Sequence, residues 1–191
     1  MSSHAVFLDR DGTINFDTGY ISNPRQVVLM PYVGECLFKL REIYKFKLIV
    51  ISNQSGIARG LLTHKDVKRV NNKINQLLKK FNTSIDAFYY CPFHPDYSSQ
   101  SESLCRKPSP KMIFDASAEH NIDLSKSYLV GDKATDIEAG LNAKLKTILI
   151  KTDFYEEEIS ILLNQGKTPN FVADNFYNAT DYIISDFSGG N

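Results

Sequence analysis

Two aspartates two residues apart, Asp9 and Asp11, close the apolar run 5–8, and Gly12 with Thr13 follows as a tight turn. A carboxylate at a strand's end emerges at the edge of a sheet where ligands collect. This spacing permits two jobs, one carboxylate acting as nucleophile and the other moving a proton. Phosphoryl transfer needs such a pair, together with a metal and cationic groups that neutralise the phosphate oxygens. An ordinary acidic turn would use the same residue types, since Asp and Gly collect wherever strands end. The position directly after an N-terminal hydrophobic strand favours the chemical reading.

The other parts of that chemistry recur at later apolar runs. Ile49-Val50-Ile51 leads into Ser52, Asn53, Gln54, Ser55 and Gly56, whose hydroxyls and carboxamides can donate to phosphate oxygens. Arg106-Lys107-Pro108 places a basic pair in a long connection, and Lys133 follows Gly131-Asp132. Near an acidic edge, one lysine can hold nucleophile and phosphate together while another stabilises the transferring charge. Asp132 and Asp136 form a G-D-x-x-x-D pattern with hard oxygen ligands for Mg²⁺. Asp136 reads equally well as an acid at a helix start, favoured there by the helix dipole.

Positioning these groups requires short buried strands alternating with helices. Runs 5–8, 47–51, 87–90, 127–130 and 145–150 are near-continuously apolar, as strands covered on both faces are. Between them, Val33, Leu37, Leu40 and Tyr44 keep helical spacing, as do Val67, Val70, Ile74, Leu77, Leu78 and Phe81, with Thr63 and Asp66 placed to cap the second helix. The alternation predicts an α/β fold, a doubly wound Rossmann-like parallel sheet with helices on both faces and ligands at its carboxyl edge. Two connections, of about 17 residues over 15–31 and about 19 over 92–110, exceed ordinary turns and are expected to carry function.

The 191 residues fit one domain, expected over 1–187, with 188–191 as a flexible tail. Lys plus Arg equals Asp plus Glu at 22 each, so nothing general points to nucleic acid or an anionic membrane. The N-terminal residues show no basic-then-apolar leader, and no run approaches the roughly 18 apolar residues of a span; a cytoplasmic protein is expected. Three widely spaced cysteines, Cys36, Cys91 and Cys105, argue against a disulfide framework and suit a reducing compartment.

With these segments in view, the chain resembles the haloacid dehalogenase superfamily, in its branch of heptose-bisphosphate and histidinol-phosphate phosphatases. The matching segments are FLDRDGTIN at 7–15, DTGY at 17–20, SNQSGIARG at 52–60, RKPSP at 106–110 and GDKATD at 131–136. The resemblance implies Asp9 as nucleophile and Asp11 as general acid then base, with Ser52 and Lys107 stabilising the phosphoryl group. It implies Mg²⁺ on Asp9, Asp132 and the backbone carbonyl of Asp11. Substrate contacts are implied for Asp17, Thr18, Gly19 and Tyr20, for Ser52, Asn53, Gln54 and Ser55, and for Arg106, Lys107 and Lys133. The long loops would stand in for a large cap domain.

The implied partner is a small phosphorylated metabolite met by a monomer, most directly the 7-phosphate of a heptose 1,7-bisphosphate, with histidinol phosphate as the alternative. A phosphate-accepting sensor would share the magnesium carboxylates and the acceptor aspartate, but Asp11 favours turnover. A nucleic-acid end phosphatase is disfavoured by the neutral charge. Relatives in this branch often close a four-ligand zinc site around the second loop. Here Phe93 and Ser103 occupy two of the ligand positions, His94 is shifted by one, and only Cys91 and Cys105 remain, so structural zinc is not expected.

Overall fold

The computed structural model describes residues 3–189. Six strands, β1 Ala5–Leu8, β2 Lys47–Asn53, β3 Ala87–Cys91, β4 Tyr128–Gly131, β5 Lys146–Ile150 and β6 Phe171–Ala173, form one sheet in the order β3-β2-β1-β4-β5-β6. Every pairing is parallel. The chain leaves β1 to build one half on β2 and β3, then returns to β4 on its other flank. The strand order therefore reverses between β1 and β4, where open α/β sheets bind ligands. In register, Leu8 faces Val50 and Val130, so Asp9, Ser52 and Asp132 emerge from three neighbouring strand ends. The Asp9 N–H donates to Val130 O at 2.9 Å, locking the ends of β1 and β4 together.

Alternation along each strand sends the apolar residues to both faces, which explains why the sequence reads as unbroken hydrophobic runs. Val6, Leu8, Leu48, Val50 and Val130 pack on one face against α1 Val33–Phe38, α2 His64–Leu78 and α6 Phe176–Gly189. Phe7, Ile49, Ile51 and Leu129 pack on the other against α3 Lys111–His120 and α4 Ala134–Asn142. Helix α5 Tyr155–Asn164 seals α4 through Leu162, Ile137 and Leu149. The expected cap of α2 is a reciprocal box, with Asp66 N donating to Thr63 Oγ1 at 3.2 Å and Thr63 N to Asp66 Oδ2 at 3.0 Å.

Some boundaries move. Ser127 precedes β4 and takes the Ala5 N–H on its hydroxyl at 2.9 Å, and Leu145 precedes β5. Helix α1 widens into a π turn at Lys39–Ile43, and α6 runs through Ser188 to Gly189; positions 190 and 191 of the expected tail lie outside the described residues. The first long connection is pinned at its base by Phe16 N to Val28 O and Met30 N to Ile14 O, at 3.1 and 2.8 Å. The second corrects the expectation of unpaired cysteines, because Cys91 at the end of β3 and Cys105 in the turn Glu102–Cys105 are disulfide-bonded across a separation of 14 residues. Cysteine number and spacing carry no information on how a loop returns to its own root. Among the described residues Cys36 is the only free thiol.

Candidate active site

Three strand ends and one helix start bring the predicted groups together at the carboxyl edge of the sheet. Asp9, Lys107, Asp132 and Asp136 are all buried, and single oxygens of Asp9, Asp132 and Asp136 lie within 4.8 Å of one another. Lys107 bridges two of these acids, with Nζ 2.7 Å from Asp9 Oδ1 and 2.6 Å from Asp136 Oδ1, and also donates to Ile51 O at 2.9 Å. Its backbone is fixed by Asn53, which accepts from Lys107 N at 3.0 Å and donates to Lys107 O at 3.2 Å. Asn53 thus places Lys107 as well as lining the cavity, a duty the sequence did not reveal. Of the two roles left open for Asp136, the helix-start one is seen directly, because Oδ2 takes the Lys133 N–H at 3.1 Å and caps α4 while Oδ1 pairs with Lys107.

Two glycines make room for these acids. A Cβ at Gly12, where φ is +84°, would fall onto the Asp132 carboxylate, and one at Gly131 would fall onto the side chain of Asp136. Thr13 Oγ1 donates to Asp132 Oδ1 at 3.2 Å. Burial pushes Asp9 up to about 6, with Lys107 pulling against it, and pushes Asp132 up to about 8, helped by the charges of Asp9 and Asp136. Burial alone would lower Lys107 and Lys133, but their carboxylate neighbours outweigh it and hold both above the usual lysine range. Buried carboxylates that repel one another, with burial opposing their charge, are a site suited to a hard divalent cation.

Asp11 sits in a different environment. Its carboxylate is forked by Arg10, with Nη2 to Oδ2 at 2.7 Å and Nε to Oδ1 at 3.1 Å, and also accepts from Asn15 Nδ2 at 2.9 Å and Gln54 Nε2 at 3.0 Å. Burial would raise its pKa, but the Arg10 charge and these hydrogen bonds bring it below the usual value. The same Gln54 amide donates to Ser52 Oγ at 2.7 Å, so the second aspartate and the serine share one network.

These residues open on a cavity of about 580 Å³ lined by Asp9, Asp11, Ser52, Lys107, Arg106 and Lys133, among others. Asp17, Gly19, Tyr20, Asn53, Gln54 and Ser55 also line it, as expected, whereas Thr18 is exposed and is not among the lining residues. At the rim Lys133 Nζ reaches Asp17 Oδ2 at 3.3 Å, joining the first loop to the start of α4. Arg106 donates to Phe93 O at 3.5 Å, and burial with the nearby Arg59 charge lowers its pKa. Glu158, on α5, lines the cavity and caps α4 by accepting from Ala134 N at 2.6 Å. No periodicity or motif marks Glu158, while Arg10 lies in plain view between the two aspartates.

Among the described residues no helix is long and apolar enough to cross a membrane. Residues 104–179 match the family model described as HAD-hydrolase-like. The chain is 42% identical over 193 residues to a D-glycero-D-manno-heptose-1,7-bisphosphate 7-phosphatase of Chlorobaculum tepidum, covering 96% of each chain. It is 38% identical over 154 residues to the D-glycero-beta-D-manno-heptose-1,7-bisphosphate 7-phosphatase of Escherichia coli K12, covering 78% of this chain and 79% of that one. Among solved structures it is similar to D,D-heptose 1,7-bisphosphate phosphatase from B. bronchiseptica complexed with magnesium and phosphate, with a TM-score of 0.83, 26% identity and coverage of 96% and 99%. With Asp9 and Asp11 following β1, Asp132 following β4, and this degree of likeness over nearly the whole length, the chain belongs to the haloacid dehalogenase superfamily of phosphatases.

Proposed function

We propose that this enzyme removes the 7-phosphate of a D-glycero-D-manno-heptose 1,7-bisphosphate through a phosphorylated Asp9. The observation that carries the reading is the buried Lys107 bridge between Asp9 and Asp136 beside Asp132, at the strand ends, in a chain whose relatives bear that substrate in their names. An Asp9 oxygen attacks phosphorus, the bond to the sugar oxygen breaks, and Asp11 gives that oxygen a proton. Water then attacks the aspartyl phosphate while Asp11 takes its proton, and the acyl–phosphate P–O bond breaks to release phosphate and Asp9. Ser52 and Lys107 hold the phosphoryl oxygens through both steps.

The gathered carboxylates of Asp9 and Asp132 fit Mg²⁺, with the Asp11 backbone carbonyl read as a third holder; bound there, the ion would supply positive charge to the phosphoryl oxygens. Asp136 serves as partner of Lys107 and cap of α4. Arg106, Tyr20, Lys133 and the segments Asp17–Gly19 and Asn53–Ser55 meet the rest of the substrate. The disulfide at the root of the second loop supports a zinc-independent enzyme. Neutral net charge gives no electrostatic reason for a nucleic-acid or anionic-membrane partner, and the enzyme is read as a cytoplasmic monomer acting on a small metabolite.

The test is kcat/KM with Mg²⁺ for the heptose bisphosphate and for histidinol phosphate, on wild type, Asp9→Asn and Arg106→Ala. The bisphosphate should be preferred, Asp9→Asn should lose turnover, and Arg106→Ala should lose most of the preference. Wild-type preference for histidinol phosphate overturns the substrate, and turnover retained by Asp9→Asn overturns the nucleophile.

A further inference from the structure

Arg10 is among the largest fully buried side chains of the protein, and its guanidinium has several buried polar partners at once. One edge, Nε and Nη2, forks onto the Asp11 carboxylate, and Nη2 also donates to Gln54 Oε1 at 3.0 Å. The remaining nitrogen, Nη1, donates to Asn71 Oδ1 at 3.2 Å. Asn71 is an 8% exposed polar residue on α2, among Val67, Val70, Ile74 and Leu78, which are there for packing. A buried carboxamide on a packing face is out of place unless it has a polar partner, and its side-chain partner is Arg10.

The arrangement explains how an acid that must meet a proton acceptor at one fixed point is held still. An arginine has four rotatable bonds, so a fork made at one edge leaves the plane free to swing about that edge. A second anchor at the opposite edge stops the swing. We infer that Arg10, anchored at its far edge by Asn71, is the positioning residue that aims the Asp11 carboxylate at the leaving oxygen. The inference rests on the reading of Asp11 as acid and base. Without the Asn71 acceptor, Nη1 is left buried and unpaired; the guanidinium turns to satisfy it and takes the fork off Asp11. Neither Arg10 nor Asn71 needs to touch substrate.

The experiment separates aim from general damage by the leaving group. Loss of protonation slows P–O cleavage where the departing oxygen is an alkoxide, and matters little where it is p-nitrophenolate, which leaves unprotonated. Rapid-mixing kinetics with Mg²⁺ would give the rate of leaving-group release in the first turnover, for the heptose bisphosphate and for p-nitrophenyl phosphate. The proteins are wild type, Asp11→Asn, Asn71→Leu, Asn71→Ala and Asn71→Asp, each checked for folding by circular dichroism.

Asn71→Leu and Asn71→Ala should release the sugar about 10-fold or more slowly, a part of the ~10²–10⁴ that proton transfer contributes. The p-nitrophenolate burst should stay within about 3-fold, and Asn71→Asp, which keeps an acceptor, should recover the sugar rate. Two Asn71 truncations guard against misfolding of either one. Equal losses on both substrates in a folded Asn71 variant, or no loss on the sugar, overturn the inference. If Asp11→Asn itself shows no dependence on leaving group, the reading of Asp11 fails instead, and the two failures are told apart by that column of the data.

Discussion

Raising the pH should destabilise the metal-free protein, and magnesium should remove the effect. Burial and the charges of Asp9 and Asp136 push Asp132 from 3.8 to about 8, and burial pushes Asp9 to about 6 against Lys107. In the unfolded chain both carboxyls return to ordinary values and are ionised above about pH 5. The folded protein then holds more protons than the unfolded chain from roughly pH 4 to 8, and under that condition stability falls as pH rises. Lys107 and Lys133, raised above 10.5, and Asp11, lowered below 3.8, keep their charge in both states above pH 5 and add no slope. Between pH 5 and 8.5, at ~1.36 kcal/mol per pH unit over which a proton is held, Asp132 contributes about 4 kcal/mol and Asp9 about 1. Roughly 5 kcal/mol is a large share of the ~5–15 kcal/mol that keeps a domain folded. At ~2–4 °C per kcal/mol, the thermal midpoint should drop by roughly 10–20 °C. Circular dichroism scans in chelator and in saturating Mg²⁺ would show a falling midpoint in the first and a level one in the second. Asp132→Asn, which takes one charge out of the cluster, should be more stable than wild type in chelator at pH 8.5. A midpoint in chelator that is flat or rises with pH would refute the reasoning.

Lys107→Met should leave Asp9 and Asp136 facing each other without their cation, lowering turnover by at least ~10² and stability by about 3–5 kcal/mol, read from steady-state rates and urea unfolding. Magnesium should recover part of the stability and little of the turnover. Cys105→Ser opens the link that closes 14 residues, which loop-closure entropy values at up to about 3 kcal/mol; urea midpoints with and without reductant should differ for wild type and coincide for the variant. Metal analysis of the same samples tests the zinc-independent reading, which stoichiometric zinc required for folding would sink.

The sequence revealed most where one residue type has one physical use. The strand ends were readable because a run buried on both faces is apolar throughout, and Asp9, Ser52 and Asp132 stand where three such runs stop. The capping box of α2 was readable because Thr63 and Asp66 hold both halves of it within four residues. What escaped depends on contacts between residues far apart in the chain. Glu158 reaches the start of α4 from 24 residues away, and Asn71 reaches Arg10 from 61; neither is marked by local spacing. Strand β6 was missed because Phe171–Ala173 is three residues long and half-exposed, too short to show a period. The cysteine pair was misread because the return of Cys105 to the root of its loop depends on a turn that its sequence does not signal.

Charge balance explains why the fold tolerates so costly a cluster. Asp9, Asp132 and Asp136 carry three negative charges at full ionisation, against two positive charges on Lys107 and Lys133, in a place where burial disfavours every one of them. An anionic remainder would repel a phosphate. A divalent cation held there would reverse that sign and supply positive charge to a bound phosphate. The second acid is kept out of this balance. Arg10 neutralises Asp11 locally, so its proton affinity is set by Arg10, Asn15 and Gln54 more than by the metal cluster beside it. Two carboxylates two residues apart are thereby given different electrostatics: Asp11 is held ionised, the state in which it can accept a proton, whereas burial opposes the charge of Asp9 until a cation offsets it. At the rim, the half-buried Arg106 guanidinium lies near Arg59, and that local excess of positive charge suits a substrate bearing a second phosphate better than one bearing an amine.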